Sequence, residues 1–286
     1  MFAEEWPLLL FTLFTQLAVG LYLFIIITRA VLHQNVELST KLTSKGLLAV
    51  GPIIVIALFL SVFHLGDPFG AYRSLYNLAS AWLSREIIFV GGFFALWCIS
   101  YFLDRKGKWN QVVGYVTAIF GMFAIYSMAS IYANSILPAW SDINTYLAFY
   151  GTTIVFGSVA MMMMLSFSKE TEQEQVKKLI RIFSFVGLAA IIIQLVYLPV
   201  YTSSLVANGT NAGLESVALI SSTFGVTTII RWVASIIGLC LISWMLLKNT
   251  AKINYGYIVT AFAFVLVGEF LGRFIFYSIG VKIIVG

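Results

Sequence analysis

Long apolar runs separated by short polar breaks dominate the chain. A helix needs about 20 mainly apolar residues to cross the hydrocarbon core of a bilayer. Eight runs meet that length: Pro7–Val31, Leu42–Leu65, Ser84–Leu103, Asn110–Asn134, Tyr146–Ser168, Val176–Tyr201, Val226–Leu247 and Tyr255–Ile279. They are too long for barrel strands and do not alternate apolar with polar positions, so the pattern predicts helices. The expected fold is an all-α integral membrane protein with eight transmembrane helices. The connections are short, which predicts a single transmembrane domain over residues 1–286. The connection Ser135–Thr145 marks a four-plus-four division into helix bundles, 1–134 and 146–286. The longest external connections are Gly66–Leu83, Ser135–Thr145 and Thr202–Gly225. The last is rich in Ser, Thr, Asn and Gly and reads as a mobile or partner-ordered loop.

Composition agrees with the pattern. The chain is 60% hydrophobic and 10% charged, against about 25% charged for a soluble domain. The formal net charge of +5 does not point to nucleic acid, because the basic residues sit in short loops between apolar runs. Of the 17 Lys and Arg, 12 follow the odd-numbered spans: Arg29, Lys41, Lys45, Arg105, Lys106, Lys108, Lys169, Lys177, Lys178, Arg181, Lys248 and Lys252. The positive-inside rule puts these in the cytoplasm and both termini outside. The start, through Glu4 and Glu5, lacks the basic region of a signal peptide. The first run is therefore kept as a span.

One stretch, Ser61–Glu86, gathers ionisable groups at a membrane edge: His64, Asp67, Arg73, Arg85 and Glu86. His64 falls at the outer end of the second span and Glu86 at the outer start of the third, so both lie at one depth. Asp67 and Pro68 have the chemistry of a helix start. Leu75, Leu78, Ala79 and Trp82 then recur at helical spacing, which predicts a short helix roofing a lipid-accessible pocket. The plainer reading has His64 bonding a neighbour and Glu86 favouring a helix N-terminus capped by Ser84. Ionisable groups at membrane depth are functional candidates by default, and two at one depth strengthen that reading.

A second constellation lies in span eight. Glu269 and Arg273 are four apart and share a face, so they can pair. Gly268 and Gly272 form a GxxxG that permits close helix approach. Arg231 in span seven is a further partner for Glu269. A buried pair locking helices together outweighs a catalytic role here, with Arg273 and Tyr277 as pocket-lining candidates. Cys98 and Cys240 read as small apolar residues, and without a CxxC the protein holds no iron–sulfur cluster or structural zinc of its own. Met161–Met164 point all round a helix and read as packing rather than a soft-metal site. Pro138 and Trp140 read as interfacial anchors. His33 and His64, the only histidines, fall on opposite membrane faces, which argues against a bis-histidine haem. The polar groups alone leave a secondary transporter or channel open as the competing class.

Four motifs carry a resemblance. Glu5-Trp6-Pro7-Leu8 opens span one. His64-Leu-Gly-x-Pro68 is followed by Ala71 and Ser74-Leu75. Leu83-Ser-x-Glu86-Ile87 opens span three, and Gly268-Glu269-x-x-Gly272-Arg273-x-x-Phe276-Tyr277 lies in span eight. In order and spacing they resemble the membrane anchor subunit of anaerobic dimethyl sulfoxide reductase, from end to end. Residues 109–211 match only in pattern. The resemblance implies a haem-free subunit of the bacterial cytoplasmic membrane that oxidises menaquinol in anaerobic respiration. It implies His64 and Glu86 as catalytic residues of the quinol site, with Asp67 and Arg73 as further quinol-binding residues. It also implies two partners, an iron–sulfur electron-transfer subunit and a molybdopterin catalytic subunit, which hold the cofactors. Anchors of polysulfide, tetrathionate or N-oxide reductases are related alternatives.

Overall fold

The computed structural model describes residues 2–64, 77–78, 80–168, 170, 173–247 and 255–281, without the side chains of 2–5, 64 and 255. It is helical throughout, with no strand among the described residues. The helices are α1 (Phe2–Val31), α2 (Val36–His64), α3 (Trp82–Arg105), α4 (Gln111–Ala133), α5 (Ile143–Ser166), α6 (Glu174–Ala207), α7 (Asn211–Ala218), α8 (Gly225–Leu247) and α9 (Tyr255–Ser278). All but α7 are long and apolar enough to span a membrane, 8 in all. Thr202–Gly225 is not the irregular loop its composition predicts. α6 continues past Pro199 to Ala207, the Thr210 hydroxyl accepts from Gly213 N at 3.1 Å to start α7, and Leu219–Thr223 forms a π-helical turn into α8. Side-chain capping by Thr210 and docking of the Ser216 hydroxyl onto Ile279 O (2.8 Å) outweigh the loop-like composition.

The helices begin where the backbone can satisfy its free N–H groups. The Asn110 side chain accepts from Val112 N and Val113 N at 2.9 and 3.2 Å, and Asp142 accepts from Asn144 N at 2.8 Å. Hydroxyls buried on apolar faces bond back to the preceding turn, as Thr15 does to Phe11 O and Thr153 to Phe149 O, both at 2.8 Å.

α1 and α5 are the most enclosed helices. Their backbones touch: a Cβ on Gly20 would lie 2.2 Å from Thr153 O, and one on Gly157 would lie 2.5 Å from Gly20 O. Close backbone approach at small residues gives membrane helices the packing that the hydrophobic effect cannot supply within lipid. The remaining spans surround this pair, α2 and α4 against α1, α6 and α8 against α5, and α9 against both. α3 packs mainly on α4, and α8 lies along α9.

At one end, the Arg29 guanidinium of α1 meets Asp104 of α3 at 2.7 Å, donates to the Thr43 hydroxyl of α2 at 2.8 Å, and lies 3.9 Å from the Trp109 ring centre. Lys41 pairs with Glu170 at the same end. The Lys41 ammonium, with a Ser168 bond, holds the Glu170 carboxyl below its usual range. Glu86 of α3 and Arg273 and Tyr277 of α9 lie toward the other end.

Candidate functional site

α2 ends at His64 and α3 begins at Trp82. The His64 side chain, Asp67 and Arg73 lie outside the described residues, as does the stretch assigned to a roofing helix, except for residues 77–78 and 80 onward. Helix α3 starts three residues earlier than the Ser84 cap predicts. Ala81 precedes it with no side-chain cap, and Ser84 is buried within the first turn. Glu86 is thus the fifth residue of the helix. It turns into the bundle, 6% exposed, and accepts no hydrogen bond among the described residues. Its neighbour Arg85 turns outward, donating to Leu78 O at 3.0 Å and covering the Trp82 ring at 4.2 Å.

The buried carboxyl of Glu86 interacts electrostatically with Tyr132 of α4 and Tyr277 of α9. The Tyr277 hydroxyl donates to that of Tyr132 at 3.2 Å. One turn deeper, Arg273 donates to Gln16 Oε1 at 2.9 Å and lies 3.8 Å from the Phe149 ring centre. Gln16 in turn donates to Phe149 O at 2.8 Å. Trp140 closes the cluster rather than anchoring at a free interface. Its indole donates to Phe276 O at 2.8 Å, and its ring meets Tyr132 edge-on at 5.2 Å. Three helices, α3, α4 and α9, thus bring an acid, two phenols and a guanidinium toward one end of the bundle, and α1 adds the Gln16 amide.

An apolar groove of about 580 Å³ runs along α4 from Tyr115 to Tyr126, against Leu23 and Ile26 of α1 and Tyr150 of α5. The Tyr126 ring meets Trp82 at 5.5 Å. Trp82 and Glu86, four apart, share a face of α3.

Glu269 and Arg273 share a face of α9 but form no ion pair within 4.0 Å among the described residues. Glu269 accepts from Thr152 of α5 at 2.7 Å and Ser235 of α8 at 3.1 Å. Arg231 donates to Gln194 of α6 at 3.0 Å and covers Trp232 at 4.2 Å. Neighbouring helices offer each charge a partner in better position than one turn along the same helix. The GxxxG does permit close approach: a Cβ on Gly268 would lie 2.8 Å from Arg231 O, and one on Gly272 would lie 2.4 Å from Arg231 Nε. Tyr132, Gln16 and Gln194 are functional candidates that the sequence pattern did not single out. The two glutamines carried a readable signal, since an amide inside an apolar run needs a partner. Cys98 is half-buried and Cys240 exposed on α8, while Met161 and Met162 are fully buried. Among the described residues no three His, Cys, Asp or Glu side chains gather to hold a metal ion.

The family model described as "DMSO reductase anchor subunit (DmsC)" matches residues 1–279. The protein belongs to this family. It is similar to the C subunit of anaerobic dimethyl sulfoxide reductase of Haemophilus influenzae, 25% identical over 279 residues, covering 96% of this protein and 94% of that one. It is likewise similar to the C subunit of the Escherichia coli K12 enzyme, 25% identical over 283 residues, covering 96% and 95%. The YnfH subunit of an anaerobic dimethyl sulfoxide reductase of Escherichia coli K12 is 25% identical over 194 residues, covering 66% and 68%. A DMSO reductase anchor is a multi-pass membrane subunit of an oxidoreductase complex serving anaerobic respiration, and the eight apolar helices fit that role.

Proposed function

We propose that this anchor binds and oxidises menaquinol near the outer membrane face and passes the electrons to an iron–sulfur partner subunit. The observation that carries the reading is Glu86: a buried carboxyl within electrostatic reach of the Tyr132–Tyr277 pair, at the end of the bundle where α2 terminates in His64. A buried acid with no ion pair among the described residues is costly to keep for stability alone. The groove ending at Tyr126 suits an isoprenoid tail, with the quinol head directed to the α2–α3 junction.

In this mechanism a quinol loses two protons and two electrons and becomes a quinone. Neutral His64 takes one hydroxyl proton, since an imidazole titrates near pH 6.5. Glu86 takes the second or orients His64, with Asp67 and Arg73 holding the ring. The electrons leave toward the iron–sulfur partner docked on the outer face, and from there to a molybdopterin catalytic subunit. Donor and acceptor lie on one side, so the subunit needs no haem to carry charge across. The same reading puts both termini outside, makes residues 1–286 one transmembrane domain, and places the complex in the bacterial cytoplasmic membrane.

The test replaces His64 by Arg and Glu86 by Gln in the full complex. Assembly and turnover from an artificial donor that bypasses the anchor should persist. Quinol-driven turnover should fall by about 100-fold or more in each. Full quinol-driven turnover in both variants would sink the assignment. A protein that purifies without iron–sulfur and molybdenum-containing partners would favour a transporter instead.

A further inference from the structure

A small cavity of about 50 Å³ lies apart from Glu86, between α5, α6, α8 and α9 and beneath the π-helical turn. Its lining includes Asn144, Gln194, Thr228, Arg231, Trp232 and Gly272. Three buried donors of this lining have no hydrogen-bond partner among the described residues: Thr228 Oγ1, Arg231 Nε and Trp232 Nε1. The Gln194 carbonyl oxygen already accepts from Arg231 Nη2 at 3.0 Å, and the Tyr201 hydroxyl in the lining donates to Ala139 O at 2.7 Å. Donors therefore outnumber acceptors around a cation. Buried polar groups are normally satisfied, so a cluster of unmet donors calls for an acceptor from outside the protein. Gly272 contributes by omission, because a Cβ there would strike the guanidinium at 2.6 Å from Cζ.

Depth and surroundings narrow the occupant. Thr228 and Arg231 follow the start of α8 at Gly225 by one to two turns, roughly 5–9 Å at 1.5 Å per residue, which is headgroup depth for a helix that begins at the membrane surface. Beside the cavity, α6 exposes Ile193, Val196 and Val200, and α8 exposes Val226, Ile229 and Val233, a surface suited to acyl chains. The cavity has room for a phosphate-sized group. We propose that this site binds the phosphodiester of an anionic phospholipid, with Arg231 supplying the charge and Thr228 and Trp232 the neutral hydrogen bonds. It is separate from the quinol site and does not rest on that reading.

The experiment uses the full-length protein in its complex, delipidated in neutral detergent and titrated with phosphatidylglycerol, diacylglycerol, inorganic phosphate or menaquinone. Bound lipid is read by native mass spectrometry. Phosphatidylglycerol should be retained by the wild type, about tenfold more weakly by Arg231→Gln, as befits a lost charge-assisted bond, and more weakly by Thr228→Val. Arg231→Lys should keep part of the affinity. Thr228→Val is close to isosteric and controls for folding. Equal retention by wild type, Arg231→Gln and Thr228→Val would overturn the proposal. So would diacylglycerol or inorganic phosphate binding as tightly as the lipid, since one lacks the phosphate and the other the acyl tails. Displacement of the lipid by menaquinone at equal concentration would make this a quinone site and equally overturn it.

Discussion

Gly272 makes space for the Arg231 guanidinium, and that space can be measured. A methyl at Gly272 would sit 2.4 Å from Arg231 Nε, in a side chain already held by Gln194 and Trp232. Gly272→Ala should therefore destabilise the protein by about 1–3 kcal/mol, the usual range for overpacking. Gly91 is the control, because nothing lies within 4 Å of its added Cβ. Gly91→Ala should be neutral or slightly stabilising, since alanine favours the helix. Thermal midpoints of both variants in one detergent check the pair. A wild-type midpoint for Gly272→Ala would mean that the guanidinium has room to move aside. Glu86 shows the limit of residue-level reading. Its depth followed from its position in the sequence. Its burial within electrostatic reach of Tyr132 and Tyr277 depends on where α4 and α9 pass, which no local motif states.

Among elements, α1, α2 and α3 are tied at the end opposite the candidate site by Arg29. Its guanidinium reaches Asp104 and Thr43, and the partners of the ion pair are 4% and 7% exposed. Asp104→Asn would leave a buried cation uncompensated, at a cost of about 3–5 kcal/mol. Replacing both, Arg29→Met with Asp104→Leu, should recover most of that loss, because two well-packed apolar side chains need no desolvation. Denaturation of the single and double variants side by side checks this. A double variant as unstable as the single one would mean that Thr43 and Trp109, rather than Asp104, are what Arg29 serves. The span pattern was readable at this scale because eight runs matched the bilayer length. Helix ends were less so. α2 begins at Val36 rather than Leu42, α3 at Trp82 rather than Ser84, and α6 runs to Ala207 rather than Tyr201. Hydropathy locates the hydrocarbon-spanning part, whereas backbone hydrogen bonding carries a helix on into the polar zone.

For the whole molecule, 12 of 17 Lys and Arg argue for one orientation in the membrane. A phosphatase that folds only outside the cytoplasm should be active when fused to the C-terminus. It should be inactive when fused at Gly107, in the basic connection between α3 and α4. The reverse result would invert the proposed topology and move the quinol site to the inner face. The sequence alone determined the class of the protein, the number of spans, the basic asymmetry and the edge where His64 and Glu86 fall. These follow from local composition, because a bilayer imposes length, apolarity and charge rules on each segment separately. Only the tertiary structure decided that α1 and α5 form the centre and that Glu269 turns to Thr152 and Ser235 instead of Arg273. It alone grouped unmet donors around Arg231 and set Glu86 within electrostatic reach of Tyr132 and Tyr277. Those outcomes depend on which helices approach and at what rotation. In lipid that is settled by backbone contact at small residues and by side-chain hydrogen bonds between segments distant in the sequence.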